Sequence, residues 1–451
     1  MRVTVVGGGI TGLAAAWELA RGGADVTVLE AGPRMGGRIV TETFRGRPVE
    51  VGPDAFLVRA PHSQALELCR ELGLADDLVA PSTQGAAVWR GGRLHAMPTD
   101  TVLGVPSRLG PIARSGLLSP AGMARAGLDL ALPRQHLGPD PSVGALVRSR
   151  FGDEVFERLV DPLVGGIHAG SSDRLSARAV APQLVAAAAG HRSLLLGLRA
   201  QQRAARRRSA SAPTPTFLSV RGGLARVVAA LTDQLRAAGT RLVTDTRVPT
   251  LSSVTDDADA VIVTTPSSVA ATLVRPGSPA AADELGSIAH ASVVLTTLAY
   301  AASAFAAPPV GTGFLVPAAE GRLLTACSYG SSKWPDWSAG DELLLRVSAG
   351  RFGDERAMAM ADGDLVDCLH GELSVVLGPR SSPLESRVTR WPDAFPQYEV
   401  GHLARVESIE AALVRDLPGV FLAGAAYRGV GIPACIAQGR TAARRALRRA
   451  C

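Results

Sequence analysis

Residues 2–12 constrain this chain more than any other stretch. Arg2-Val3-Thr4-Val5-Val6 is a β-branched apolar run that ends in Gly7-Gly8-Gly9-Ile10-Thr11-Gly12, and an alanine-rich helical pattern continues from there to Arg21. A second apolar run, Asp25-Val26-Thr27-Val28-Leu29, completes a strand–helix–strand unit. GxGxxG in that context has a mechanism. Gly7 permits the tight turn, Gly9 lets the backbone approach a pyrophosphate and Gly12 lets helix pack on strand, while free N–H groups at the helix start face the phosphates. Glu30 ends the second strand at the offset expected for an acceptor of a ribose hydroxyl. Together these features predict a Rossmann-type fold that binds a dinucleotide.

The rest of the composition narrows the class. A chain of 451 residues exceeds one ordinary core and predicts several units. Lys333 is the only lysine among 47 basic residues, an arginine bias that reflects GC-rich coding, and aromatics are 4%, too few to interleave with basic residues on a nucleic-acid surface. No nucleic-acid partner is expected. The arginines between Arg199 and Arg208 and between Arg440 and Arg449 fall in helical patterns, where they read as solvated faces or as weak attraction to an anionic membrane or substrate. Cys69, Cys327, Cys368, Cys435 and Cys451 show no metal-ligand or disulfide spacing and read as reduced cytoplasmic thiols, so no metal site is expected. No export signal is expected before the first strand. The uncharged stretch 291–310 contains Tyr300 and Pro308-Pro309 and reads as a strand running into a loop, not as a membrane span.

Further along, a helical pattern covers 62–72 and hairpin segments end at 88–94. Residues from about 101 to 204 read as helical, and 209–216, of Ser, Ala, Pro and Thr, as a flexible connection. Strands follow at 241–243 and 260–264, and a strand-rich region spans about 292–390. The chain closes with Gly419-Val420-Phe421-Leu422-Ala423, a glycine turn and a helix from Pro433 or Ala434. The start of such a helix stabilises a nearby negative charge by about 0.3–2 kcal/mol.

Glu30 is followed by Ala31-Gly32-Pro33-Arg34-Met35-Gly36-Gly37-Arg38, which resembles the RxGGR segment of flavoproteins related to amine oxidases and glutathione reductase, and so favours FAD over NAD. Gly52-Pro53-Asp54-Ala55-Phe56, residues 151–155, 161–170 and 175–182, Gly313-Phe314-Leu315-Val316-Pro317, residues 391–402 and the closing Ala423-to-Pro433 segment all resemble the oxygen-dependent protoporphyrinogen and coproporphyrinogen III oxidases of haem synthesis. The resemblance covers nearly the whole chain and is strongest to the Gram-positive bacterial, coproporphyrinogen branch. It implies an α/β fold of the flavin amine oxidase-like superfamily in three parts. These are a discontinuous Rossmann-type FAD domain (1–75, 217–265, 400–451), a mixed-sheet α+β substrate domain (76–100, 266–399) and a mainly helical insertion (101–208) that can touch membrane.

Carried over by position, the resemblance places FAD contacts on Gly7, Gly8, Gly9, Ile10, Thr11, Gly12, Glu30, Ala31, Gly37, Arg38, Gly52, Pro53, Asp54, Ala55, Val248, Trp391, Val430, Gly431 and Ile432. For Trp391 a core tryptophan is an equal alternative. The implied reaction is stepwise hydride removal from a porphyrinogen to flavin, with molecular oxygen as electron acceptor giving hydrogen peroxide, which depends on placement more than on an acid–base side chain. No catalytic base is assigned. His168, where an aromatic is common in the family, and Gly166 read as pocket lining. Arg59 is the first candidate for a propionate carboxylate, with Arg90 and Arg93 behind it. Gly85 departs from the arginine of plant-type members a few residues before the tryptophan matching Trp89. Protoporphyrinogen is the alternative substrate. An amine oxidase or carotenoid desaturase on the same scaffold, and a non-enzymatic protein with a dead nucleotide fold, are the competing classes. As partners, the resemblance implies hand-over of product to the next haem-synthesis enzyme and a monomer or homodimer, in the cytoplasm or peripheral at the membrane's inner face.

Overall fold

The computed structural model describes residues 1–58, 63–208, 215–338 and 340–449. The β-branched runs pair as the patterns predict. Arg2–Val6 lies between Asp25–Leu29 and Ala260–Val263, with Arg241–Val243 and Val420–Leu422 at the edges, in one five-stranded parallel sheet. A parallel sheet needs both faces covered. One face carries the helices Ile10–Arg21, Ala225–Ala237 and Ile432–Arg449, packed around Leu13, Leu19, Leu231, Leu235 and Ile436. The other carries Ser267–Val274, Pro279–Gly286 and His402–Asp416 around Leu273, Leu285 and Ile409.

The chain divides into two compact units, Met1–Ala80 with Thr214–Ala289 and Leu403–Cys451, and Pro81–Pro213 with His290–His402. Residues 266–289, grouped by the sequence with the substrate domain, belong to the first unit because their two helices supply the apolar cover for Val261 and Val263. The helical stretch and the mixed sheet share the second unit. The expected flexible connection falls, for 209–214, outside the described residues.

In the second unit a seven-stranded sheet runs in the order Glu385–Pro396, His290–Ala301, Glu342–Ala349, Leu324–Tyr329, Gly313–Leu315, Ala86–Arg90, Arg93–Ala96. Its neighbours are antiparallel except Gly313–Leu315 with Ala86–Arg90, which are parallel. His290–Ala301 is buried along almost its whole length, which is why the stretch carries no charge. Among the described residues no helix is long and apolar enough to cross a membrane.

The helical part has its own core around Leu146, Phe151, Leu159 and Leu198. Within it Arg150 and Asp129 form a buried ion pair, and Asp129 also accepts from Ser193 Oγ at 2.6 Å and from the amide of Leu195 at 2.9 Å. The arginines of Leu194–Arg208 fit the solvated reading where they are exposed, at Arg203, Arg206 and Arg207. Arg440 does not. It is 3% exposed, and its guanidinium reaches Glu71 at 2.7 Å, tying the last helix to Gln64–Glu71.

Candidate functional site

The glycine loop of the first unit has the stereochemistry its spacing predicts. Gly7 turns at φ +109°, its amide donates to Leu29 O at 2.8 Å, and Thr264 Oγ1 donates to its carbonyl at 2.9 Å. A Cβ on Gly12 would sit 2.0 Å from the Gly7 carbonyl oxygen, so only glycine lets the helix start against the turn. Gly9 differs from both. Its φ is −69°, any residue could adopt it, and a Cβ there would meet nothing within 4 Å. The space a side chain would fill is the space a pyrophosphate would take. No side chain caps the Ile10–Arg21 helix, whose buried Ile10 and Thr11 belong to the first turn, so the amides there have no side-chain acceptor.

The second glycine segment packs on the first. The Gly36 amide donates to Gly8 O at 2.8 Å, and Gly37, at φ +57°, lies so close that its Cβ would be 3.1 Å from Gly9 Cα. Arg34 braces this loop by donating to Gly37 O at 2.6 Å. The Glu30 carboxylate accepts from Gly8 N at 2.7 Å and from Gly32 N at 2.8 Å, so it organises both loops around Ala31. Thr246 donates its amide to Glu30 O at 2.9 Å, which sets the segment leading to half-buried Val248 beside the same strand end. Gly52, buried, and Pro53, Asp54 and Ala55, half-buried, form the turn before Phe56–Leu57.

Both chain ends meet in this unit. The last helix starts at Ile432, one residue before Pro433, where a missing N–H costs no helical hydrogen bond. Val430 and Gly431 are its approach. A Cβ on Gly439 would lie 2.3 Å from Thr11 O, so the first and last helices are in backbone contact. Burial raises the Cys435 thiol to about 11, opposed by a hydrogen bond with Thr11 and by the charge of Arg38. Thr11 and Arg38 are thus neighbours of Cys435, although hundreds of residues separate it from them.

The second unit holds the other predicted residues. Phe156–Gly165 is a π-helical stretch with Pro162 inside it, and π turns recur at functional sites because they re-aim side chains. It ends in the short turn Gly166–His168, then in Ala169 at φ +48°. A cavity of about 100 Å³ lies here, lined by Asp161, Gly165, Gly166, Ala169 and Gly170, by Val293, Leu295, Val316 and Phe395, and by Arg351. His168 flanks it. Its ring is buried, its Nδ1 has no hydrogen-bond partner among the described residues, and burial pushes its pKa down to about 4, so it is neutral at pH 7. Burial likewise raises the Asp161 carboxyl above its ordinary range, although that carboxylate accepts from Ser172 N at 2.9 Å.

Trp391, in the second unit, sits half-buried opposite Val293 and packs against the cluster that contains Ala169 and Val293. Arg59 lies outside the described residues. Arg90 donates to Leu117 O at 2.8 Å and Arg93 to His95 Nε2 at 3.2 Å, so both are held by the hairpin's surroundings. Sequence reasoning passed over Arg351. Its one signal was a glycine, Gly350, placed between the end of the Glu342–Ala349 strand and a charged residue. Among the described residues no cluster of His, Cys, Asp and Glu is arranged to hold a metal.

A profile of flavin-containing amine oxidoreductases matches residues 10–447. The chain belongs to this family. The family binds FAD, and the open space at Gly9 with the uncapped helix start fits that group. The chain is 35% identical to coproporphyrinogen III oxidase of Bacillus subtilis over 476 residues, 99% of this chain and 97% of that protein. It is 30% identical to a chloroplastic protoporphyrinogen oxidase of Oryza sativa, over 96% of this chain and 85% of the other. A solved structure described as a candidate protoporphyrinogen oxidase, from Exiguobacterium sp. 255-15, superposes with a TM-score of 0.85 at 30% identity, covering 99% of each chain.

Proposed function

We propose that this flavoenzyme oxidises coproporphyrinogen III to coproporphyrin III in haem biosynthesis, passing electrons to molecular oxygen and releasing hydrogen peroxide. The reading rests on one observation above the others: similarity to a coproporphyrinogen III oxidase runs through both units at 35% identity, not through the nucleotide loops alone. FAD, when bound, supplies the hydride acceptor. The chain's residues do the rest. Gly7 to Gly12, Gly37 and Arg38 hold the pyrophosphate, Glu30 and Ala31 the ribose, the Val248 backbone the adenine, and Gly52 to Ala55 with Val430 to Ile432 the flavin end. Trp391 belongs to the same set.

On the substrate side, Gly166, His168 and Arg59 are assigned to the porphyrinogen. A reduced tetrapyrrole is an apolar body with carboxylate tails, and the lining around Val293, Val316 and Phe395 is apolar enough to take part of such a body. With its pKa lowered to about 4 by burial, neutral His168 is a weak proton acceptor, in keeping with chemistry that depends on placement. Protoporphyrinogen is the second reading, favoured by the plant relative and the solved structure.

Coproporphyrinogen III and protoporphyrinogen IX, oxidised side by side in air with and without detergent, provide the test through porphyrin fluorescence. Faster turnover of the former, with peroxide formed, is expected. Preference for the latter transfers the assignment, and no fluorescence from either overturns it.

A further inference from the structure

Arg351 is placed by a device that only glycine permits. The Glu342–Ala349 strand runs into Gly350 at φ +89°, where a Cβ would lie 2.9 Å from the carbonyl oxygen of Ser292, so the chain crosses the neighbouring strand in close contact and delivers Arg351 to the cavity wall. Around it the available acids are already engaged. Asp354 forms a tight turn with Arg351 through its amide, yet its carboxylate takes Arg356 at 2.9 and 2.7 Å. Asp161, across the cavity, accepts from the Ser172 amide at 2.9 Å. Among the described residues the Arg351 guanidinium makes no hydrogen bond or ion pair; burial disfavours its charge, and the Asp161 and Asp354 carboxylates offset that only through space. A half-buried guanidinium without an acceptor is costly, and a planar five-donor fork facing an apolar cavity is complementary to an amphipathic carboxylate.

We propose that Arg351 binds a propionate carboxylate of the substrate. The inference rests on the porphyrinogen reading above and adds to it the residue that recognises the acid. The apolar lining around it, Val293, Leu295, Val316 and Phe395, receives the hydrocarbon of the same substituent.

The test compares coproporphyrinogen III with its tetramethyl ester, which keeps the ring and removes the charges, in wild type, Arg351→Gln and Arg351→Lys. Loss of a charged hydrogen bond to carboxylate should raise KM for the free acid by about tenfold to a hundredfold in Arg351→Gln, and less in Arg351→Lys. The ester's KM should not move, and flavin content should stay at the wild-type level. Because the guanidinium makes no protein hydrogen bond and interacts with Asp161 and Asp354 only through space, Arg351→Gln should melt only slightly lower than wild type, whereas loss of a structural arginine would lower Tm far more. An unchanged KM for the acid in Arg351→Gln, or equal losses for acid and ester in both variants, overturns the inference. Wild-type protein that oxidises neither compound overturns the porphyrinogen reading itself, a result the variants do not enter.

Discussion

In the first unit the proposed phosphate cradle occupies residues 7–12 and 36–38 and is made of main chain; in the second the cavity draws the side chains of Asp161, Val293, Val316, Arg351 and Phe395 from separate stretches. A site of backbone amides is built from short contiguous turns, because consecutive N–H groups and the glycines that expose them come from one turn at a time. A site of side chains has no such requirement. The sheet brings its members together, and register, not spacing, decides which of them meet.

This contrast can be broken most forcefully at Gly12. Gly12→Val puts atoms where the Gly7 carbonyl stands, 2.0 Å from the built Cβ, and should cost more than about 4 kcal/mol together with the bound flavin, read as a fall in Tm and loss of visible absorbance. A yellow variant with wild-type Tm would show that helix and turn are not in contact. Asp129→Ala, in the other unit, strands Arg150 as a buried charge and should destabilise by about 3–5 kcal/mol in urea unfolding.

His168 sharpens the comparison through pH. Its folded pKa is depressed to about 4 from an ordinary 6.5, so across that window the unfolded chain holds a proton that the folded chain does not. Stability therefore falls as pH drops from about 6.5 toward about 4, by up to about 3 kcal/mol. His168→Phe should flatten that part of the curve, and an equally steep curve would remove His168 as its source. Gly9→Ala gives the smallest effect. With nothing within 4 Å of the added methyl, stability should hold to within about 0.5 kcal/mol while the Kd for FAD rises about tenfold, about 1.4 kcal/mol, by flavin titration of the apoprotein.

The same division explains what could be read from the sequence. The parallel strands, the turn at Gly7, the close packing at Gly12 and the strand that opens the 291–310 stretch were legible because period and glycine spacing are local signals. Glu30 was legible as an acid at the right offset, but not its two hydrogen bonds to Gly8 and Gly32, which depend on how two loops fold back. Arg440 read as one more exposed arginine on a basic helix, yet partners on another helix bury it. Arg351 was one of 46 arginines, and only the crossing at Gly350 distinguishes it. Arg90, near a motif and inviting as a carboxylate ligand, is taken by a carbonyl 27 residues away.

The most direct test is cofactor release. Purified protein, after equilibration with FAD and removal of the excess, is denatured and the supernatant read by flavin fluorescence before and after phosphodiesterase. If amides of the first turn hold the pyrophosphate, close to one FAD per chain appears and its fluorescence rises on cleavage. Colourless protein that takes up no flavin from solution would contradict the account at its foundation.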